Sequence, residues 1–260
     1  MILEPTKELL NKRISDFFVK LQFNEELHKY TLDNRVLVSV SKIVEQFAEK
    51  VNWTQKAAGV AYKTNSTLPL VLNDWKTEKD KSIILGHKTH HFGEILGPNS
   101  RKPVNTQEQA ILNFWANVDP KRYIRVSREV RMYHKSLYYA GTCDFILYDT
   151  VLKGFIIGDY KSNKDLFKNF KEKKLLYPFD LMLDQPFSKY EIQLTLYQIL
   201  LSQLNIPVVD RWIVWLLPEH KCKEKGLPYG SYKNYKGREL LSPMTNWLYK
   251  QNTLFYYNEN

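Results

Sequence analysis

The sequence predicts an α/β (α+β) fold, and three observations carry that expectation. Hydrophobic periodicity switches from the helical repeat to strict alternation at about residue 122. The order of elements is helices, three consecutive strands, a helix and a last strand, which suits helices packed on a sheet. Finally, 43% of the 260 residues are hydrophobic and 14% aromatic, enough for one substantial core and too much for a disordered chain.

Taken in order, "DFFVKLQFNEELHKYTLDNRVLVSVSKIV" reads as short strands with a turn at Asp33-Asn34. A helix follows from about Ser41, where "SKIVEQFAEKV" places Ile43, Val44, Phe47 and Val51 along one face. Residues 52–80 read as mixed and helical, and "KSIILGHKTHHFGEIL" as an amphipathic helix ending near Gly97-Pro98. Residues 106–117 form another helix, with Thr106 as its expected N-cap. "RYIRVSREVRMYH", "YYAGTCDFILYD" and "GFIIGDYKS" alternate as three antiparallel strands. A lysine-rich segment, 161–174, leads to the helix "SKYEIQLTLYQILLSQL", and "VVDRWIVWLLP" is expected as a final buried strand. There is no internal repeat and no low-complexity linker.

Composition narrows the function. The net charge of +10 favours polyanions, nucleic acid foremost, although a merely basic protein has the same balance. Two cysteines, Cys143 and Cys222, exclude a disulfide scaffold, a four-thiolate zinc site and a cysteine-held iron–sulfur cluster within one chain. Glu4 and Glu8 stand where a signal or transit peptide would be acid-poor, and "WIVWLLP" is too short to span a bilayer. No membrane is expected, and the expected location is a reducing cytoplasm.

The informative stretch is "GTCDFILYDTVLKGFIIGDYKS", which sets Asp144, Asp159 and Lys161 among buried strand residues. Burying a carboxylate is costly unless it is paired or binds a metal. Asp144 and Asp159 are symmetric about Val151-Leu152, inside the turn "DTVLKG". A hairpin around that turn sets them nearly opposite, with Cβ atoms about 4.5–5.5 Å apart. Period two sends Asp159 and Lys161 to one face, and Gly158 and Tyr160 to the other. Two carboxylates suit Mg²⁺ or Mn²⁺, with the ammonium free to orient a water. An Asp159–Lys161 salt bridge beside a solvated Asp144 is the alternative.

"GTCDF…IIGDYKS" resembles the core of the PD-(D/E)XK nuclease superfamily, and its "DYKS" ending is most similar to the RecB-like, phage-type exonuclease branch. The proline of the family name is missing here, as in many members. Two further motifs of that branch occur in order. "GHKTHHFGE" fits G-x-x-x-H-x-x-x-E through Gly86, His90 and Glu94, and "QLTLY" fits Q-x-x-x-Y through Gln193 and Tyr197. The resemblance covers roughly residues 80–217. It implies a restriction-endonuclease-like core, a central mixed β-sheet flanked by helices. It also implies three divisions within a single globular domain: an N-terminal β-hairpin and helical extension (1–80) packed on the core, the nuclease core (81–217), and a basic C-terminal extension (218–260).

The activity implied is metal-dependent exonucleolytic hydrolysis of DNA leaving 5′-phosphates, in replication, recombination or repair. Mg²⁺ or Mn²⁺ would be held by His90, Asp144, Asp159 and the backbone carbonyl of Tyr160, with Lys161, Glu94, Gln193 and Tyr197 completing the catalytic set. A structure-specific endonuclease shares this chemistry, and a non-catalytic DNA-binding recombination partner shares the fold. The CRISPR-adaptation nucleases share the core motifs but carry four cluster-binding cysteines, which this chain lacks.

The remaining residues admit two readings each. His87, His90 and His91 lie close enough in sequence for zinc to be imaginable, but there is no H-E-x-x-H. Glu94 reads equally as a solvated helix carboxylate, and Gln193 and Tyr197 as helix-packing residues. Glu129 matches a position where relatives carry an acid, and reads equally as the partner of a cross-strand arginine. Lys164, Lys168 and Lys171, interleaved with Phe167, suit a DNA backbone and stacked bases or simply a solvated face. The partners implied are single-stranded DNA or duplex ends, with a homo-oligomer or a recombination or replication protein as further candidates. A phage-encoded chain would work in the host cytoplasm.

Overall fold

The structure is a computed structural model that describes residues 5–97 and 99–258, with side chains described to residue 251. Glu4 and Pro98 lie outside the described residues. The chain divides into two compact units, Glu49–Ser100 and the sequence on either side of it.

The larger unit is built on an eight-stranded mixed sheet. It opens with a helix that alternation did not announce, α1 (Lys7–Phe18). Thr6 caps it by accepting the Leu9 N–H at 3.3 Å, and Leu10, Ile14 and Phe18, each four residues apart, form its buried stripe. Strands β1 (Gln22–Asn24), β2 (Lys29–Leu32) and β3 (Arg35–Ser39) make an antiparallel meander. Asp33 and Asn34 both have positive φ, +49° and +65°, the backbone of a two-residue hairpin turn where the sequence placed it. Helix α2 (Val40–Glu45) is shorter than the periodicity suggested, and Val51 lies beyond its end.

Helix α5 (Thr106–Asn117) is capped by Asn105, whose Oδ1 accepts the Glu108 N–H at 2.8 Å. The expected cap, Thr106, is the first helical residue instead. Its hydroxyl is taken by the Gly230 N–H at 3.0 Å, so a tertiary contact claims the side chain.

The three central strands are as expected: β4 (Tyr123–His134), β5 (Tyr139–Asp149) and β6 (Gly154–Lys161), paired antiparallel in sequence order. Asp149 closes the β5–β6 turn. Its Oδ1 accepts the N–H groups of Val151 (2.9 Å) and Leu152 (3.0 Å), while Arg122 donates to both carboxylate oxygens. Burial alone would raise the Asp149 carboxyl's pKa; those donors outweigh it and hold it below the ordinary range.

Helix α6 (Pro186–Ser202) is buried around most of its circumference, so it is a central helix and not an amphipathic cover. It connects β6 to β7 (Val208–Leu216), which pairs parallel with β6. This strand is not the last. After α7 (Glu219–Glu224), β8 (Tyr232–Lys236) adds antiparallel to β7, and α8 (Leu241–Asn258) follows. The expected boundary at 217/218 therefore runs through continuous structure, because the C-terminal segment contributes a sheet strand.

The second unit is a helix pair, α3 (Trp53–Lys63) and α4 (Leu68–Ile95). Ala57, Ala61 and Val71 form its small core, with Leu68 and Trp75 against it. The expected division at 80/81 falls inside α4, since that helix is a single element from Leu68 onward. No helix among the described residues is long and apolar enough to cross a membrane.

Candidate active site

The β5–β6 register decides where the two aspartates stand. Phe145 pairs with Gly158 and Ile146 with Ile157, so one further step sets Asp144 across from Asp159. That step is where the pairing stops. One edge of β5 is shared by two partners: β3 pairs parallel with Tyr139 and Ala140, and β6 antiparallel with Phe145–Asp149. β4 runs along the other edge for the whole strand. On that edge, Gly141–Asp144 lies between the β3 pairing and the β6 pairing. Asp144 and Asp159 thus mark a fork in the sheet, from which Asp159, Tyr160 and Lys161 continue alongside β7.

The fork is bridged by side chains. Asp144 Oδ2 accepts the backbone N–H of Tyr160 at 2.6 Å, replacing a ladder bond. Asp159 is almost fully buried and forms a close ion pair with Lys161, its neighbour two along the strand. From Lys161 the chain of contacts runs on to α6. Lys161 Nζ donates to Gln193 Oε1 at 2.9 Å, and Gln193 Nε2 donates to the Tyr197 hydroxyl at 2.9 Å. The Tyr190 ring lies 4.2 Å from the same ammonium. Tyr190, Gln193 and Tyr197 are spaced three and four apart and share one helix face. Tyr190 was not singled out by sequence, although that spacing was there to be read.

Close packing holds the arrangement. A Cβ on Gly141 would meet Tyr197 Cε1 and Val40 Cγ2, both at 2.7 Å, so this glycine makes room for the tyrosine beside the fork. A Cβ on Gly158 would stand 1.9 Å from Phe145 Cζ, so the phenyl ring lies directly on the β6 backbone. These two glycines account for part of "GTCDF…IIGDYKS" in steric terms.

The electrostatics at the fork set carboxylates against the Lys161 ammonium. Burial pulls the Lys161 ammonium down, yet the charges of Asp159, Tyr190 and Asp144 outweigh it and lift its pKa above the ordinary value. The Cys143 thiol is pushed well up, by burial first and then by Asp159, Asp144 and Glu129. Glu129 belongs to this group by register as well. Arg128 pairs with Phe145 and Val130 with Cys143, which sets Glu129 beside Asp144 on β4, with an unusual positive φ of 46°. Tyr30 of the meander bonds the Thr142 hydroxyl at 2.8 Å, closing the N-terminal side of the fork.

The structure thus brings together Asp144, Asp159, Lys161, Gln193 and Tyr197. His90 and Glu94 lie on α4, in the second unit, where Glu94 also contacts His91 Nδ1 at 3.1 Å. Among the described residues, no group of three or more His, Cys, Asp or Glu side chains is placed to hold a metal ion. The two facing carboxylates are nonetheless hard oxygen donors of the type that Mg²⁺ and Mn²⁺ select. Lys164, Lys168 and Lys171 are exposed on the loop after β6. Phe167, also expected to meet nucleic acid, is 43% exposed but rests against Phe187 and Tyr235, at 5.0 and 5.4 Å between ring centres.

No protein-family model matches the chain, and no curated protein matches it. Among solved structures it is similar to one known as SSO0001, at 13% identity over 96% of this chain and 86% of that one, with a TM-score of 0.41. Likeness at that level carries no argument about fold or function.

Proposed function

We propose that this chain is a metal-dependent deoxyribonuclease with a restriction-endonuclease-like core, acting as an exonuclease that leaves 5′-phosphates. One observation supports it above the rest. The register sets Asp144 across from Asp159 at the fork of the sheet, with Lys161 tied to Asp159 and to Gln193 on the same face. An ordinary sheet has no reason to face two carboxylates at a fork, where like charges oppose each other.

Asp144 and Asp159 would hold Mg²⁺ or Mn²⁺, together with the Tyr160 carbonyl. His90 enters the ligand set through the resemblance alone. Bound there, the cation supplies positive charge that polarises a phosphoryl oxygen and acidifies water. The chain's own residues do the rest. Lys161, kept charged by its carboxylate neighbours, donates to the attacking water and to the charge that develops on the phosphoryl group. Gln193 aims that ammonium, and Tyr197, wedged against Gly141, aims Gln193. Water oxygen bonds to phosphorus as the bond to the 3′ oxygen breaks. The attacking water gives a proton to solvent, the 3′ oxygen takes one up from solvent, and the product strand keeps its 5′-phosphate. Glu94, like His90, enters the catalytic set through the resemblance alone, and Lys164, Lys168, Lys171 and Phe167 are proposed to contact the strand.

Digestion of end-labelled single- and double-stranded DNA with Mn²⁺ or Mg²⁺ tests this. Wild type should cleave only with a divalent ion, and Mn²⁺ should serve at least as well as Mg²⁺ if an imidazole is a ligand. Asp159→Ala and Lys161→Ala should each lower the rate by about 10²-fold or more while DNA binding persists. Circular single-stranded DNA should survive, since its cleavage would assign an endonuclease. Metal-independent binding with no cleavage of any substrate would leave the non-catalytic recombination partner.

A further inference from the structure

Two tracts of mixed lysine and aromatic residues, 161–174 and 221–238, stand far apart in the sequence, and the sheet brings them together. Register fixes the face on which they meet. Lys161 pairs with Trp215 and Trp215 with Lys233, while Asp159 pairs with Ile213 and Ile213 with Tyr235. Residues paired across neighbouring strands share a face, so Lys233 and Tyr235 project to the same side as Asp159 and Lys161. Two strand spacings separate the two pairs, about 10 Å across the sheet.

Three rings meet at this place. Phe167 lies 5.0 Å from Phe187 and 5.4 Å from Tyr235 between ring centres, and Phe187 lies 5.5 Å from Tyr235. Trp215 backs Phe167 from the sheet at 6.3 Å. Phe187 stands one turn before Tyr190, whose ring covers the Lys161 ammonium, so the cluster adjoins the proposed chemistry along α6 as well. Phe167 nevertheless keeps 43% of its surface open. Its presentation is fixed. The neighbouring Leu166 is fully buried, its carbonyl accepts the Phe187 N–H at 2.9 Å, and Asp165 Oδ1 accepts the Phe167 N–H at 2.8 Å. A ring held in place this way stacks on a base at little cost in conformational entropy. Charge selects the occupant: Lys168, next to Phe167, and Lys233, on the Tyr235 face of β8, are both exposed on a chain of net charge +10. A duplex keeps its base faces inside its own stack, whereas an unpaired strand offers them together with its phosphates.

We propose that Phe167, Phe187 and Tyr235, flanked by Lys168 and Lys233, form a base-stacking site for an unpaired nucleic-acid strand on the sheet face that carries Asp159 and Lys161. This deepens the proposed function by naming a single strand as the substrate. The link to cleavage rests on that reading, whereas the binding itself does not.

The test is metal-free binding, which needs no cleavage. Anisotropy in EDTA is followed against salt for a labelled thymidine oligonucleotide, a strand of equal length built from abasic sugars, and a blunt duplex. Phe167→Leu keeps an apolar side chain against Phe187 and Tyr235 but offers no ring, and thermal melts confirm that each variant is folded. Wild type should hold the base-bearing strand more tightly than the abasic one. Phe167→Leu should weaken the base-bearing strand about tenfold, leaving the abasic strand and the salt slope unchanged, and Phe167→Trp should restore the affinity. Lys233→Gln should instead lower the slope of log K against log salt by about 0.7 on both single strands. Equal wild-type affinity for the two single strands would overturn the site. So would unchanged binding by folded Phe167→Leu, or a loss of equal size on the abasic strand, which would mean backbone contact without stacking. A duplex bound more tightly than the single strand, with the same dependence on Phe167, would overturn the unpaired-strand assignment. Failure of the nuclease reading looks different: no divalent-dependent cleavage, with Phe167-dependent binding intact.

Discussion

At the scale of single residues, the Asp159–Lys161 pair determines both stability and chemistry. Its side chains are only 4% and 11% exposed, so removing one partner strands a buried charge. Lys161→Met should therefore cost about 3–5 kcal/mol in urea unfolding, and Asp159→Asn/Lys161→Met should recover much of that loss without recovering any activity. The pH dependence follows from the sign of the shift. Lys161 has a raised pKa in the folded state, so its stabilising contribution is complete below the unfolded value and is lost as pH rises through the folded one. The wild-type advantage over Lys161→Met should be level between about pH 6 and pH 9 and shrink above about pH 10.4. An advantage that faded already at neutral pH would mean the ammonium is not held by these carboxylates. That this lysine and aspartate share a face was legible from their spacing, because side chains alternate along a strand. That α6 would reach them through Gln193 was legible only as a motif, since the contact depends on where the helix packs.

Among the elements, the β5–β6 hairpin carries the site, and its register rests on the turn and on Gly158. Adding a methyl at Gly158 would drive it into the Phe145 ring, which cannot withdraw while α5 and Trp115 press on it. Gly158→Ala should destabilise the protein by about 3 kcal/mol, at the upper end of overpacking costs. Phe145→Leu should cost less beside Gly158→Ala than alone, because the two changes relieve one clash, and a double-mutant cycle measures that coupling. Strictly additive losses would remove the ring from its place over the glycine. The hairpin was readable because symmetry about Val151-Leu152 fixes the register arithmetically and Asp149 closes the turn. The fork was not readable. It exists because β3, more than a hundred residues upstream in sequence from Asp144, takes the other half of the same β5 edge. Helix α1 was missed for a local reason: "DFF" looks like strand, whereas Leu10, Ile14 and Phe18 keep helical spacing across a longer window.

For the whole molecule, the consequential feature is that Glu49–Ser100 is a compact unit of its own within a chain whose sheet unit is otherwise continuous. Sequence reading divided the chain at residue 80 because the motif begins there, but cores divide chains by packing, and α4 is one helix from Leu68 to Ile95. The sheet unit keeps its own core, including α1, α2, α6 and α8 residues around β5, β6 and β7. The chain's return to it is anchored by Arg101, which donates to both oxygens of the fully buried Glu108 at 2.6 and 2.7 Å. Replacing residues 49–100 with a Gly/Ser linker should therefore leave a cooperatively folding protein, read by circular dichroism and a single urea transition. The same variant lacks His90 and Glu94. If the resemblance assigns those residues correctly, divalent-dependent cleavage should fall to background while metal-free oligonucleotide binding persists. His90→Ala in the full chain should then reproduce the loss of cleavage and reduce any preference for Mn²⁺ over Mg²⁺. A linker variant that folds and cleaves at the wild-type rate would remove α4 from the chemistry and leave Asp144, Asp159 and Lys161 to account for it.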